Sequence, residues 1–150
     1  MTAGKVGAEP VRLQSDEVSM TDILLIDDDP NQHELLAFYL DEAFGCECPF
    51  VSAYNLDEAL SRLRSQSFDA IFLDNRLRPH DSYKETIGAI KELSKDCPIY
   101  LISAARGNEK LGDFRAHGIV DTIDKFELRQ ALSGGLLKPA SQRPGYEARL

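Results

Sequence analysis

Short apolar runs of strand length alternate along this chain with stretches of helical spacing, and that alternation restricts the fold more than any other feature. Ile23–Ile26, Cys46–Ser52, Ala70–Leu73, Ile99–Ile102 and Ile119–Ile123 read as strands. Helical patterns come after them: Pro30–Ala43, a segment opening at Leu56, then Tyr83–Leu93, Glu109–Ala116 and Phe126–Leu137. Five βα units in series imply an α/β protein with a parallel sheet.

Local signals agree with these boundaries. Asp29 is placed to cap the first helix, and Pro30 sits in its first turn, where a missing amide donor costs nothing. Leu35, Leu36, Phe38, Tyr39 and Leu40 supply a broad apolar face. Asn55 followed three residues later by Glu58 resembles a capping box, with Leu56, Ala59, Leu60 and Leu63 as the stripe behind it. Gly118 falls where a left-handed helix stop is expected.

Residues 1–20 and 138–150 lack any apolar period and mix Gly, Pro, Ser and charged residues, so they read as flexible extensions around a domain at 21–137. A chain of 150 residues suits one domain, so a separate output domain is not expected within it. With 25 acidic against 17 basic side chains and no basic run, direct nucleic-acid binding is not expected. No apolar stretch nears the roughly 20 residues needed to cross a bilayer. MTAGKVGAEP has no continuous apolar core of a secretion signal, which makes the cytoplasm the default expectation. Cys46 and Cys48, two apart on one expected strand, and the remaining Cys97 are taken as structural.

Polar residues close the apolar runs. Asp27 and Asp28 follow ILLI, Asp74 ends AIFLD, Ser103 ends IYLIS and Lys125 ends IVDTIDK. Strand ends are where open α/β sheets build their sites. Carboxylates that meet there at about 4 Å repel by about 4 kcal/mol at an effective dielectric near 20. Such a cluster raises a pKa or binds a cation, and Mg²⁺ is the hard cation suited to carboxylates plus a carbonyl. Asp28 and Asp74 are read as direct ligands, Asp27 as acting through water, and the carbonyl oxygen of Arg76 as completing the set. Asp74, at the end of the middle strand, is the expected nucleophile toward a phosphoryl group. Lys125 would pair with one phosphoryl oxygen, and the Ser103 hydroxyl with the Ala104 amide would donate to others.

These residues resemble a known family. ILLIDDDP, FDAIFLDNRLRPHDS, YLISAA and DTIDK resemble the segments of response regulator receiver domains, the phosphoacceptor module of bacterial two-component signalling, over about Thr21–Leu137. The resemblance implies a flavodoxin-like (βα)₅ fold with sheet order 2-1-3-4-5, doubly wound. It implies dependence on Mg²⁺ or Mn²⁺ and transfer of a phosphoryl group from a partner's phosphohistidine to Asp74. Asp27, Asp28, Asp74 and Arg76 would then hold the metal, Ala104 and Asn75 would bind phosphate, and Ser103 and Lys125 would assist the transfer. Such a domain is a signalling acceptor rather than a dedicated enzyme. Its partners would be a histidine kinase or a histidine phosphotransfer protein, together with a downstream protein, in a stand-alone arrangement without membrane or nucleic-acid contact. The polar stretch ARGNEKLGDFRAHG favours a monomer over a dimer.

Departures from the family pattern bear on the read-out. Thr122 stands three before the lysine, where the family usually has an aromatic that swings inward on phosphorylation. Phe126 replaces a proline after the lysine, Pro79 lies one place late, and Ser82 stands where glycine is common. Arg76, two after the acceptor, is expected over the phosphoryl group, where it would slow loss of phosphate. His33 reads as a solvated or partner-contacting residue. The competing function is a degenerate receiver that binds partners or regulates a kinase without being phosphorylated. An Asp-x-Asp phosphatase of the haloacid dehalogenase type fits poorly, because Pro30 and Asn31 stand where that motif has Gly-Thr.

Overall fold

Every residue of the segments ILLI and AIFLD is buried, which suits strands covered on both faces by helices. The computed structural model describes residues 22–45, 48–104 and 111–137. Its elements are β1 (Ile23–Ile26), α1 (Pro30–Phe44), β2 (Val51–Ala53), α2 (Leu56–Ser65), β3 (Ala70–Asp74), α3 (Ile87–Ser94), β4 (Ile99–Ser103), β5 (Asp121–Asp124) and α4 (Leu128–Ser133). Short 3₁₀ turns occupy Tyr83–Glu85, Phe114–His117 and Lys125–Glu127.

The sheet order is β2-β1-β3-β4-β5, with all neighbours parallel. Ile23 lies opposite Ala70, Ile71 opposite Ile99, and Ser103 opposite Asp124. Successive side chains of a strand point to opposite faces, so the sheet divides the core in two. Leu24, Ile26, Ile71, Leu73 and Leu101 pack with Ala59 and Leu63 of α2 and Ile87 and Ile90 of α3. Ile23, Leu25, Ala70, Phe72 and Ile102 pack on the other side with Leu36 and Leu40 of α1 and Leu128 and Leu132 of α4. Arg129 of α4 also reaches Glu42 of α1 through Nε at 2.7 Å and through Nη2. This is the flavodoxin-like doubly wound arrangement.

Helix ends follow local chemistry. The Asp29 side chain accepts the Asn31 amide at 3.0 Å, and Gly45 ends α1 in the left-handed region at φ 73°, its N–H bonded to the Asp41 carbonyl. Asn55 accepts the Glu58 amide at 2.8 Å, while Glu58 reaches back to the Tyr54 amide at 2.8 Å, one residue before the cap. Gly118 closes the Phe114–His117 turn with φ 88°.

Several boundaries differ from the sequence reading. β2 is Val51–Ala53 rather than Cys46–Ser52: Pro49 lacks a ladder donor, and Cys48 packs against the α1/α4 core outside any strand. Cys46 lies outside the described residues, as do residues 1–20 and 138–150. The helix expected at Tyr83–Leu93 is split by Thr86 into a 3₁₀ turn and α3. Of the expected Glu109–Ala116 helix, residues 109 and 110 lie outside the described set, and Phe114–His117 form a 3₁₀ turn in place of its second half. β5 begins at Asp121, not Ile119, and the last helix begins at Leu128 after a 3₁₀ turn. The apolar face of α1 is narrower than expected: His33, Leu36 and Leu40 are buried, while Leu35 and Phe38 are exposed. No helix among the described residues is long and apolar enough to cross a membrane.

The Asn55 cap satisfies a donor that helix geometry otherwise orphans, so Asn55→Ala is expected to lower stability by about 1 kcal/mol in urea unfolding.

Candidate phosphoacceptor site

Parallel strands bring their carboxyl ends to one edge, and the sheet therefore gathers the polar residues that close β1, β3, β4 and β5. Asp27 continues β1, its N–H bonded to the Ala53 carbonyl at 3.0 Å. Asp74 ends β3, Ser103 ends β4, and Lys125 directly follows β5. The Asp124 side chain caps the turn that carries Lys125 by accepting the Phe126 amide at 2.8 Å.

Asp27, Asp28 and Asp74 each place a carboxylate oxygen within 4.8 Å of the others. Lys125 lies between two of them, with Nζ 3.2 Å from Asp27 Oδ2 and 3.4 Å from Asp74 Oδ1. Asp27 is 0% exposed and Asp74 6%. Burial, then repulsion from Asp27, pushes the Asp74 carboxyl up to about 6 despite the attraction of Lys125. Burial likewise raises Asp27, against the Asp29 amide and Lys125, which favour its charged form. Burial disfavours the Lys125 ammonium, yet Asp74 and Asp27 outweigh this and hold its pKa above the ordinary value.

The donor set suits a hard divalent cation. Three carboxylates against the Lys125 ammonium and the Arg78 guanidinium, which pairs with Asp28 from the exposed side, leave a part-buried cluster that is still net negative. Asp27 Oδ1 accepts the Asp29 amide at 2.9 Å, and its buried Oδ2 is paired with the Lys125 ammonium at 3.2 Å. Carboxylate oxygens select Mg²⁺ or Mn²⁺ over softer metals.

The other residues singled out from sequence surround this cluster unevenly. Arg76, Ala104 and Lys125 line the cleft above Asp28 and Asp74. The Arg76 amide donates to Asp74 Oδ1 at 3.3 Å, and the residue is exposed. Ser103 is buried at the same edge. Asn75 is buried, and its side-chain oxygen accepts the Tyr83 amide at 3.1 Å, tying the loop after β3. Thr122 is half-buried in β5 opposite Leu101.

Two residues hold the site in ways the sequence reading missed. Arg78 donates to Asp28 Oδ2 through its amide at 2.9 Å and its Nε at 3.0 Å. Nothing in the polar stretch NRLRPHDS signals this, because the loop has no period. His33 is not a solvated helix residue: it is 5% exposed and bonds to the Asp27 carbonyl. Its spacing with Leu36 and Leu40, at i, i+3 and i+7, was the available signal.

The electrostatics sets the sign of two outcomes. A carboxyl whose folded pKa is raised favours the fold while protonated, so that contribution is lost as pH climbs from about 3.8 through about 6. Without added metal, Asp74→Asn is expected to be more stable than the parent at pH 8, by on the order of 1–3 kcal/mol, and to match it near pH 4. Thermal and urea unfolding across pH would read this. Removing the Arg78 guanidinium frees Asp28, although the pair is exposed on the arginine side and screened. Arg78→Ala is expected to tighten Mg²⁺ binding about threefold in a calorimetric titration.

This geometry agrees with what the chain resembles. It is similar to a two-component response regulator from Clostridium difficile at 27% identity and a TM-score of 0.59, covering 71% of this chain and 84% of that one. It is also similar to NtrX from Brucella abortus, at 26% identity and 0.63, over 76% of this chain and 25% of that one. The fold is shared with the Vibrio cholerae chemotaxis protein CheY4, at 24% identity and 0.62, over 76% and 93% of the two chains. No curated protein matches. Residues 23–134 match the response regulator receiver domain, from the first residue of β1 to just beyond α4, and the chain belongs to that family.

Proposed function

We propose that this receiver domain accepts a phosphoryl group from a phosphohistidine on Asp74, with Mg²⁺ or Mn²⁺ held at Asp27, Asp28, Asp74 and the Arg76 carbonyl. The observation that carries the reading is the meeting of three carboxylates and the Lys125 ammonium at one sheet edge.

When bound, the cation supplies positive charge to the phosphoryl oxygens. The chain's own residues do the rest. With a pKa of about 6, Asp74 is mostly ionised at neutral pH and can act as a nucleophile. Its carboxylate oxygen forms a bond to phosphorus while the donor's N–P bond breaks, and the electron pair leaves with the imidazole nitrogen. Lys125 already lies beside Asp74 Oδ1 and neutralises charge on a phosphoryl oxygen there. Ser103 and the Ala104 amide are the expected donors to the remaining oxygens. Arg76, exposed along the cleft, is the candidate to shield the acyl phosphate from water.

The donor in this reading is a histidine kinase or histidine phosphotransfer protein, and output passes through contact with a further protein. The domain is a stoichiometric acceptor rather than an enzyme with a separate substrate. Thr122 in place of an aromatic concerns the read-out rather than the acceptance: it lies within β5, opposite Leu101, and is not one of the polar residues that close the strands.

Incubation with acetyl phosphate and Mg²⁺, followed by intact mass over time, is expected to show one added phosphoryl group on the parent and none on Asp74→Asn. An adduct that persists on the mutant would remove the assignment of Asp74. No adduct on either protein, with acetyl phosphate and with a phosphohistidine donor, would leave a receiver that binds partners without being phosphorylated.

A further inference from the structure

We infer that His33 is a positioning residue for the acidic pair, fixing the peptide that joins Asp27 to Asp28 so that both carboxylates face the cation. The inference rests on the cation-assisted acceptor reading above.

His33 takes the first place on the buried stripe of α1, where apolar side chains follow at Leu36 and Leu40. Its ring stacks on Phe50, with centroids 6.4 Å apart at 19°, and lies tilted against Tyr54, at 4.2 Å and 35°. An imidazole so enclosed needs partners for both nitrogens. Nε2 lies 2.8 Å from the Asp27 carbonyl oxygen, which can only accept, so Nε2 carries the hydrogen. Nδ1 lies 2.7 Å from Ser52 Oγ and, in the neutral ring, accepts from that hydroxyl. The partners therefore assign the tautomer.

The carbonyl that His33 holds has an unusual place. The β1–β2 register ends with Ile26 opposite Ala53, so the Asp27 carbonyl lies beyond the ladder. That carbonyl belongs to the planar unit running from the Asp27 Cα to the Asp28 Cα. Fixing its oxygen sets how the two side chains leave the backbone. The Asp27 N–H is held from the other direction by the Ala53 carbonyl at 3.0 Å. The main chain of the acidic pair is thus clamped on its donor side by β2 and on its acceptor side by α1, and Ser52 anchors the imidazole back to β2.

Groups that orient metal ligands without touching the metal typically account for a 10–100-fold difference in affinity. His33 acts on the ligands' backbone, so about tenfold is expected here. The test is a Mg²⁺ titration followed by backbone amide chemical shifts in the parent, His33→Leu, His33→Gln and Asp28→Asn, with unfolding temperatures measured in chelator and in Mg²⁺. Leucine keeps apolar volume but removes the donor, whereas glutamine can return an N–H toward the Asp27 carbonyl. His33→Leu is expected to weaken Mg²⁺ binding about tenfold and to lose most of the Mg²⁺-dependent rise in unfolding temperature. His33→Gln is expected within about threefold of the parent.

Parent-like affinity in His33→Leu, or equal weakening in the leucine and glutamine variants, would overturn the role of His33. If Asp28→Asn loses binding while His33→Leu keeps it, the acceptor reading stands and this inference alone falls. A parent that binds no Mg²⁺ removes both. Should His33→Leu fail to fold, Ser52→Ala takes its place: it releases the far side of the ring and is expected to weaken Mg²⁺ binding in the same direction by a few-fold, and unchanged affinity there would overturn the inference.

Discussion

Repulsion among three carboxylates is the constraint around which this molecule is organised. Parallel register delivers Asp27 and Asp74 to the same sheet edge, with Asp28 beside them, and close pairs there oppose folding by several kcal/mol. Lys125 answers part of that repulsion from the far strand by touching Asp27 and Asp74 together. Arg78 answers another part from the loop after β3. The remainder adds to the effect of burial, the larger cause, in holding the Asp74 carboxyl up at about 6. A fold selected for stability alone would place an apolar or amide side chain at one of these positions. The uncompensated charge makes this a cluster that could hold a cation, and burial together with Asp27 raises the Asp74 carboxyl to about 6.

The loop between β3 and α3 is drawn into the same electrostatic problem. At one end the Asn75 side chain holds the Tyr83 amide, and in the middle Arg78 holds Asp28. Tyr83 then reaches further: its ring is buried, its hydroxyl donates to the Leu111 carbonyl, and its edge meets His117. A continuous series of contacts therefore runs from the residue after Asp74 to the segment that precedes β5. It passes through a large aromatic on the loop, whereas Thr122 of β5 has little apolar area to move. Receiver domains usually carry that aromatic on the strand, and here the bulky buried ring adjoining the site belongs to the loop.

Much of the fold was legible because parallel sheets write themselves as apolar runs. ILLI and AIFLD are buried on both faces, so their hydrophobicity is continuous, and the carboxyl ends of those runs located the polar residues. Edges were harder to read. β2 and β5 lie at the two margins of the sheet and carry mixed burial, so polar residues such as Ser52, Asp121 and Thr122 blurred their limits. The split at Thr86 arises from contacts far from the helix itself: the residues before it serve Asn75 and Leu111 rather than a helical ladder.

The site divides along the same line. Asp27, Asp28, Asp74, Ser103 and Lys125 were legible because their type and their strand-end position agree. Arg78 was not, since its partner lies 50 residues away across the sheet edge and no local pattern encodes such a contact. His33 is the instructive case. Its helical spacing marked a buried position, while its chemistry suggested a surface one, and weighing residue type above period gave the wrong answer. A polar residue on an otherwise apolar stripe must find partners for its polar atoms or cost the fold several kcal/mol. In this chain the partner that the geometry offers is the main chain of the acidic pair, so the break in the stripe points at the site from the opposite side of the sheet edge. The conflict between period and residue type thus carries information that neither signal carries alone.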